Sequence, residues 1–192
     1  DFMSRICNVN KNSVVLDMAC GSGSFLVRAM TQALADCHTK AEEDEVKKHH
    51  IYGVEYDELV YGLATTNMLI HSDGNSNIVQ GSCFDEVPNF IADGVKFNIV
   101  LMNPPYNAMA KQVPKEYSKT WGNSKQDPSK GLYFVKFILG QMNDNKMQGK
   151  LAVLLPMACA IGNSALMKQM KRAILENNTL DAVFSLPDDM FY

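Results

Sequence analysis

The sequence predicts an α/β fold, a mostly parallel sheet covered by helices on both faces. Short β-branched and aliphatic runs alternate with helical patterns from end to end of the chain. Those runs are almost continuously hydrophobic, as strands are when both faces of their sheet are covered. The chain has 192 residues, 46% hydrophobic and 20% charged, which suits one domain with a real core and is thin for two.

In order, Val14, Val15 and Leu16 read as the first strand, ending at Asp17, and Phe25, Leu26, Ala29, Met30 and Ala33 follow at helical spacing. Ile51 to Glu55 is the second strand. Asp57 can accept the first free amides of a helix carrying Leu59, Leu63 and Ile70. Ile78 and Val79 form a short third strand before Gly81. Phe97 to Met102 is a fourth, apolar apart from Asn98, and it runs straight into Asn103. Leu132, Val135, Ile138 and Met142 mark the next helix, and Leu151 to Leu155 a fifth strand stopped by Pro156. Leu166, Met170 and Ile174 give another amphipathic helix, and Leu180 to Leu186 a sixth strand. Glu42 to His50 is charge-rich and reads as a solvated helix end. Asn107 to Lys130 is polar, broken by Pro114, Gly122 and Pro128, and is expected to be a long mobile loop with a functional role.

Composition narrows the function classes. No apolar run approaches the ~20 residues that span a bilayer, and the longest, Leu151 to Ile161, contains Pro156, so no membrane role is expected. Cys7, Cys20, Cys37, Cys83 and Cys159 are scattered and form no C-x-x-C pair, which suits a reducing cytoplasm and argues against a disulfide scaffold or structural zinc. The first residue is Asp1 and no secretory pattern follows, so a piece of a longer polypeptide is expected. A formal net charge of -3 and a pI near 5.8 are unusual for a protein that grips nucleic acid alone; a nucleic-acid partner would require positive charge from other segments or subunits.

Three places carry candidate chemistry. Asp17-Met18-Ala19-Cys20-Gly21-Ser22-Gly23 turns from the first strand into a helix. Its glycines let the backbone approach a ligand that the helix amides face. A dinucleotide fingerprint would want glycine at position 26, where Leu26 stands, and no Gly-Lys-Ser/Thr phosphate loop is present, so a plain strand-to-helix turn remains an alternative. Glu55 ends the second strand, where in a doubly wound sheet a carboxylate can accept both hydroxyls of a ribose. Asn103-Pro104-Pro105-Tyr106 follows the fourth strand with a side-chain amide oxygen, stiff proline carbonyls free to accept, and a flat ring for stacking. His38, His49, His50 and His71 form no ligand set with the cysteines and read as surface or capping residues; no metal is expected. Cys20 has no partnered histidine nearby and reads as packing, and the methionines as core.

On these residues the chain resembles the class I, S-adenosylmethionine-dependent DNA adenine-N6 methyltransferases, and within them the modification (M) subunits of type I restriction–modification systems. The resemblance runs in order through Asp17-x-Ala-Cys-Gly-Ser-Gly-Ser-Phe25, Tyr52-Gly-Val-Glu55, Phe97-Asn-Ile-Val-Leu-Met-Asn-Pro-Pro-Tyr106, Gly149-Lys-Leu-Ala-Val-Leu-Leu-Pro156 and Leu186-Pro-Asp-Asp-Met-Phe-Tyr192. Met18 stands where the family usually has proline. Ser82 stands where it often has aspartate, which leaves Ser82, Cys83 and Asp85 as candidates for the cofactor's adenine edge.

The resemblance implies a doubly wound, Rossmann-like sheet with strands one and four adjacent, an upstream lid of which Asp1 to Cys7 is the tail, and a last edge strand beyond Tyr192. It implies a single catalytic domain over 1–192. Asp17, Ala19, Cys20, Gly21, Gly23, Glu55, Ser82, Cys83 and Asn103 would hold S-adenosylmethionine. Asn103 and the Pro104 carbonyl would accept the two hydrogens of an adenine N6 amine, Tyr106 would stack on the flipped base, and Pro105 and Phe191 would line its site. The partners implied are double-stranded DNA, a DNA specificity subunit and a restriction subunit, in the cytoplasm. A protein glutamine-N5 methyltransferase, and a non-catalytic module of the same fold, are the alternatives.

Overall fold

The computed structural model describes residues 1–71 and 77–187. Five strands, β1 (Val15–Asp17), β2 (Ile51–Glu55), β3 (Asn77–Gln80), β4 (Ile99–Met102) and β5 (Lys150–Val153), lie in one sheet in the order β3-β2-β1-β4-β5, and every pair is parallel. The chain winds outward from β1 through β2 to β3, then returns to β4 on the other side of β1. The doubly wound sheet expected from the sequence is therefore present, with strands one and four adjacent.

Alternation along the strands sends successive side chains to opposite faces. Val15, Ile51, Ile99 and Leu101 pack under α1 (Phe2–Ile6), α2 (Ser24–Leu34), α3 (Lys40–His49) and α4 (Glu58–Ile70). Leu16, Tyr52, Val100 and Met102 pack under α5 (Cys83–Ala92), α7 (Leu132–Asp144), α8 (Met157–Ile161) and α9 (Ala165–Leu175). Gly53 lets α2 lie close on β2: a Cβ there would sit 2.7 Å from Leu26 Cδ1.

Several expectations shift. Val14, Phe97 and Asn98 precede their strands rather than belong to them, and Leu154 and Leu155 follow β5. Asn98, the one polar residue in its run, ties the strand entrances together. Its Oδ1 accepts the Val14 N–H at 2.8 Å, its Nδ2 donates to Asn12 O at 3.1 Å, and its own carbonyl accepts the Lys150 N–H at 2.9 Å. The sixth strand expected over Leu180–Leu186 is absent. Those residues form no ladder, and Leu180, Val183 and Phe184 are exposed. An apolar run becomes a strand only when a neighbour takes its N–H and C=O groups, and among the described residues β5 pairs with β4 alone. Glu42 to His50 lies within α3 and the start of its cap, opened by a Thr39–Glu42 capping box.

The helix after Asp57 forms where expected, with Asp57 Oδ1 accepting from Leu59 N and Val60 N at 3.0 and 3.1 Å. Its buried face is not the one its large residues suggest. Leu59, Leu63 and Ile70 are exposed, while Ala64 and Met68 are buried. Close packing decides this: the small Ala64 meets the glycine turn at Gly23, and Asn67 Nδ2 donates to Ser22 O at 2.9 Å, fixing the helix rotation.

The segment 107–130 holds more structure than a loop. It contains short turns of 3-10 helix at Ala110–Gln112 and Lys119–Trp121, the helix α6 (Lys115–Ser118), an antiparallel bridge between Met109 and Gln126, and buried Tyr117, Trp121, Asp127 and Ser129.

The rotation of α4 is testable by stability. Met68→Ala, at a fully buried site, is expected to cost about 2–5 kcal/mol in urea unfolding. Leu63→Ala is expected to change stability by no more than about 0.5 kcal/mol; equal costs at the two positions would contradict the observed face.

Candidate active site

β1 delivers Asp17 to the carboxyl edge of the sheet, where the chain turns sharply into α2. Gly21 and Gly23 take φ of +55° and +77°, the left-handed region that glycine enters without a Cβ penalty. Gly23 then stands at the N-terminus of α2. Glu55, arriving on β2, clamps this turn: one carboxylate oxygen accepts the Gly21 N–H at 2.9 Å and the other the Asp57 N–H at 2.9 Å. Each oxygen keeps acceptor capacity for a further donor.

Asp17 is 1% exposed and accepts the Ala19 N–H at 3.1 Å. Burial pushes its carboxyl up to about 7; the Ala19 amide opposes this and the nearby Glu55 charge adds to it. Burial, with Asp17 and Glu55 close by, raises the Cys20 thiol well above its usual range. It therefore stays neutral and packs, as expected. Burial does the same to Cys83. Ser82 caps α5, its hydroxyl accepting the Phe84 N–H at 3.3 Å, while Asp85 is exposed on the first turn.

A cavity of about 240 Å³ opens between these ends and β4. Of the residues singled out in the sequence, Ala19, Glu55, Ser82, Cys83, Asn103 and Pro105 line it together. Asp17, Cys20, Gly21, Gly23, Pro104 and Tyr106 sit behind or beside it, and Phe191 lies outside the described residues. Met18, Tyr56, Gly81, Gln112 and Phe134 complete the lining. Gln112 and Phe134 carry no local signal, because only the packing of 107–130 and α7 brings them to the cavity.

At the end of β4 Asn103 is exposed and Pro104 buried. The Tyr106 hydroxyl donates to Asn103 Oδ1 at 2.6 Å, and burial holds the Tyr106 phenol above its usual value, so at neutral pH it remains a donor. This bond uses one lone pair of the Asn103 oxygen and aims the other. No backbone amide among the described residues takes the Pro104 carbonyl. The motif therefore offers two acceptors of backbone and amide type within one stiff turn.

Sequence reasoning missed the group that holds this turn from behind. Asp127 is fully buried, and its carboxylate accepts the Ser129 N–H at 2.8 Å, the Ser129 hydroxyl at 2.8 and 3.0 Å, the Gly131 N–H at 3.0 Å and the Tyr117 hydroxyl at 2.5 Å. The Tyr117 ring stacks on Tyr133 at 3.6 Å. Gly131, with φ of +95°, lets Pro104 approach so closely that a Cβ would lie 3.0 Å from its Cγ. An Asp two residues before a Ser in a turn is the local signal that was there to find.

Among the described residues no group of three or more His, Cys, Asp or Glu side chains is arranged to hold a metal ion, and no helix is long and apolar enough to cross a membrane. His50 and His71 end α3 and α4.

The profile of a family described as N-6 DNA Methylase matches residues 1–192. The type II restriction enzyme and methyltransferase RM.BcgI of Heyndrickxia coagulans is 32% identical over 192 residues, covering 99% of this chain and 27% of that protein. The type I restriction enzyme EcoEI methylase subunit of Escherichia coli is 27% identical over 200 residues, covering 99% of this chain and 37% of its own length. The chain thus spans about a third of these relatives. Among solved structures, the type I restriction enzyme EcoKI M protein shares the fold, with a TM-score of 0.66 and 20% identity over 88% of this chain and 35% of that one.

The raised Asp17 carboxyl predicts a pH dependence of stability. In the folded chain it titrates near 7, above the ordinary value of 3.8, so between those values the folded state holds a proton that the unfolded state has lost. The contribution of Asp17 to stability is full below about pH 4 and is lost as pH rises through about 7. Unfolding free energies measured across this window should show Asp17→Asn with a smaller loss toward neutral pH than the parent; identical slopes would show that Asp17 is not the titrating group.

Proposed function

The chain belongs to the N-6 DNA methylase family, and from that premise we propose that it is the catalytic domain of a modification subunit that methylates the N6 amine of adenine in DNA. One observation carries the reading. Ala19 at the start of the glycine turn, Glu55 that clamps it, and Asn103 and Pro105 of the acceptor motif line one cavity, at the point where the winding of the sheet reverses. Ligands of open α/β sheets bind outside the strand ends at such a point. The family match favours neither a protein glutamine-N5 methyltransferase nor a non-catalytic module.

The residues at the cavity fit S-adenosylmethionine. Glu55 keeps acceptor capacity toward two ribose hydroxyls, Met18 and Ala19 border the cavity at the start of the glycine turn, and Ser82 and Cys83 stand one strand further out for the adenine edge. When bound, this cofactor supplies an electrophilic methyl on a sulfonium sulfur. The protein's part is positioning and electrostatics. The N6 amine of adenine is a poor nucleophile because its lone pair is drawn into the ring. Asn103 Oδ1 and the Pro104 carbonyl accept its two hydrogens, which favours a pyramidal nitrogen with its lone pair directed out of the ring plane. Positive charge grows on that nitrogen during transfer, so both bonds strengthen toward the transition state. The Tyr106 hydroxyl holds the Asn103 amide in the accepting orientation, and its ring is the platform for a base flipped out of the duplex. Double-stranded DNA, a specificity subunit that reads the sequence and a restriction subunit are the partners in this proposal.

The test is tritiated methyl transfer to adenine-containing duplex by the full-length protein with its specificity partner, with cofactor affinity measured in parallel. Asn103→Ala should lower kcat by about 10²–10³ while leaving cofactor affinity largely intact. Transfer at the parental rate would make Asn103 structural. Tyr106→Phe should keep base capture and lose a smaller factor in kcat, because stacking survives and the bond to Asn103 does not. Glu55→Ala should weaken cofactor binding in calorimetric titration.

A further inference from the structure

The chain carries a formal net charge of -3, and five of its 18 Lys and Arg residues fall in the segment that follows the Asn103–Tyr106 motif. The segment 107–130 holds Lys111, Lys115, Lys119, Lys125 and Lys130 against only Glu116 and Asp127. Asp127 borders the same cleft as Lys125 and Lys130 but is buried, its carboxylate taken up by Tyr117, Ser129 and Gly131 with no lysine paired to it among the described residues. Lys111, Lys115, Lys119 and Lys125 are exposed, Lys130 is half-buried, and none of the five forms an ion pair among the described residues. Lys130 Nζ has a neutral partner, Asn107 Oδ1 at 2.9 Å. Elsewhere Lys11 and Lys40 are paired with Glu42, Glu43 and Asp44, while other lysines such as Lys47, Lys96 and Lys168 also form no ion pair among the described residues, so it is the charge balance of the segment that sets it apart. Like charges on a short segment repel, and here packing holds them together: the Tyr117–Tyr133 stack, the bridge between Met109 and Gln126, and the bonds to Asp127.

The same segment borders an open cleft of about 480 Å³, lined by Met109, Ser124, Lys125, Gln126, Asp127, Pro128 and Lys130. Residues at the two ends of the short turn around Ala110–Gln112 border the cleft and the 240 Å³ cavity respectively. Gln112 lines the cavity, Met109 lines the cleft, and Gln112 Oε1 accepts the Met109 N–H at 2.8 Å. A strand with one base in the cavity would pass the segment 107–130, which borders that cavity through Gln112 and whose lysines form no ion pair among the described residues.

We propose that this segment is a phosphate-binding rim, in which Lys125 and Lys130 hold a backbone phosphate of the target DNA strand in the cleft and Lys111, Lys115 and Lys119 contact further phosphates. The proposal deepens the reading of the chain as a DNA methyltransferase and rests on it. Lysine acts at such a site as a point charge, giving affinity and register without sequence preference. This fits a catalytic subunit whose sequence reading comes from another polypeptide. The net negative charge elsewhere leaves non-specific attraction weak except at this rim.

Two variants of the full-length protein test it, Lys125→Gln with Lys130→Gln, and Lys111→Gln with Lys115→Gln and Lys119→Gln. The second set makes no side-chain hydrogen bond in the structure. With the specificity partner present, binding of a fluorescently labelled duplex is measured across a salt series, and methyl transfer and cofactor affinity are measured beside it. Each neutralised phosphate contributes about 0.9 to the slope of log K against log salt, so the first variant, which releases one phosphate, should lose about 0.9 in slope, with weaker DNA binding. Cofactor affinity should not change, and Lys125→Arg with Lys130→Arg should restore the slope. Parental slopes and affinities in both variants, with the unmodified protein binding and methylating DNA, would overturn the rim and leave the functional reading standing. An unmodified protein that neither binds nor methylates the duplex would overturn both.

Discussion

The parallel pairing of β1 with β4 is the constraint from which the rest of the molecule follows, because it reverses the winding of the sheet and brings together two loops that lie far apart in the chain. Val15 and Leu16 pair with Ile99 and Val100, and Asn98 locks the start of that register by accepting the Val14 N–H. With the strand entrances aligned, the strand exits are aligned as well. Asp17 and Asn103 therefore emerge at the same edge. The open space above them is what an α/β sheet leaves between loops that turn to opposite faces.

Two buried aspartates meet opposite ends of the same physical problem. Asp127 sits behind the turn that carries Pro104 and accepts four donors, from Tyr117, Ser129 and Gly131, so its oxygens find partners within the protein. Asp17 sits under the glycine turn with one amide donor and the Glu55 carboxylate nearby, and its carboxyl rises to about 7. The first is a rigid post that holds Gly131 against Pro104. The second leaves a proton-dependent group beneath the glycine turn. A polar group buried without full compensation costs stability and persists where the position has other uses.

The acceptor motif and the segment after it act as one unit. Tyr106 orients Asn103, Gly131 admits Pro104, and the Asp127 network and the Tyr117–Tyr133 stack carry that order outward to the lysine-bearing surface. In the proposed function, the base and the strand that carries it meet surfaces held by the same set of bonds.

Much of this was legible in the residues. The alternation of apolar runs with helical spacing located the five strands, and Gly21, Gly23, Glu55 and Asn103 to Tyr106 stood out because each has a chemistry that its neighbours lack. Local chemistry also determined the Asp57 cap, since a side-chain oxygen three residues from a free amide needs nothing distant. Tertiary structure decided the remainder. The face of α4 turned on the fit of Ala64 against the glycine turn, which outweighs the larger apolar area of Leu59, Leu63 and Ile70. The run from Leu180 to Leu186 has the composition of a strand and no ladder, because pairing belongs to the neighbour as much as to the run. Gln112, Phe134 and the Asp127 network reached the site only through packing between segments remote in sequence, and no local pattern encodes which distant donors a buried carboxylate will find.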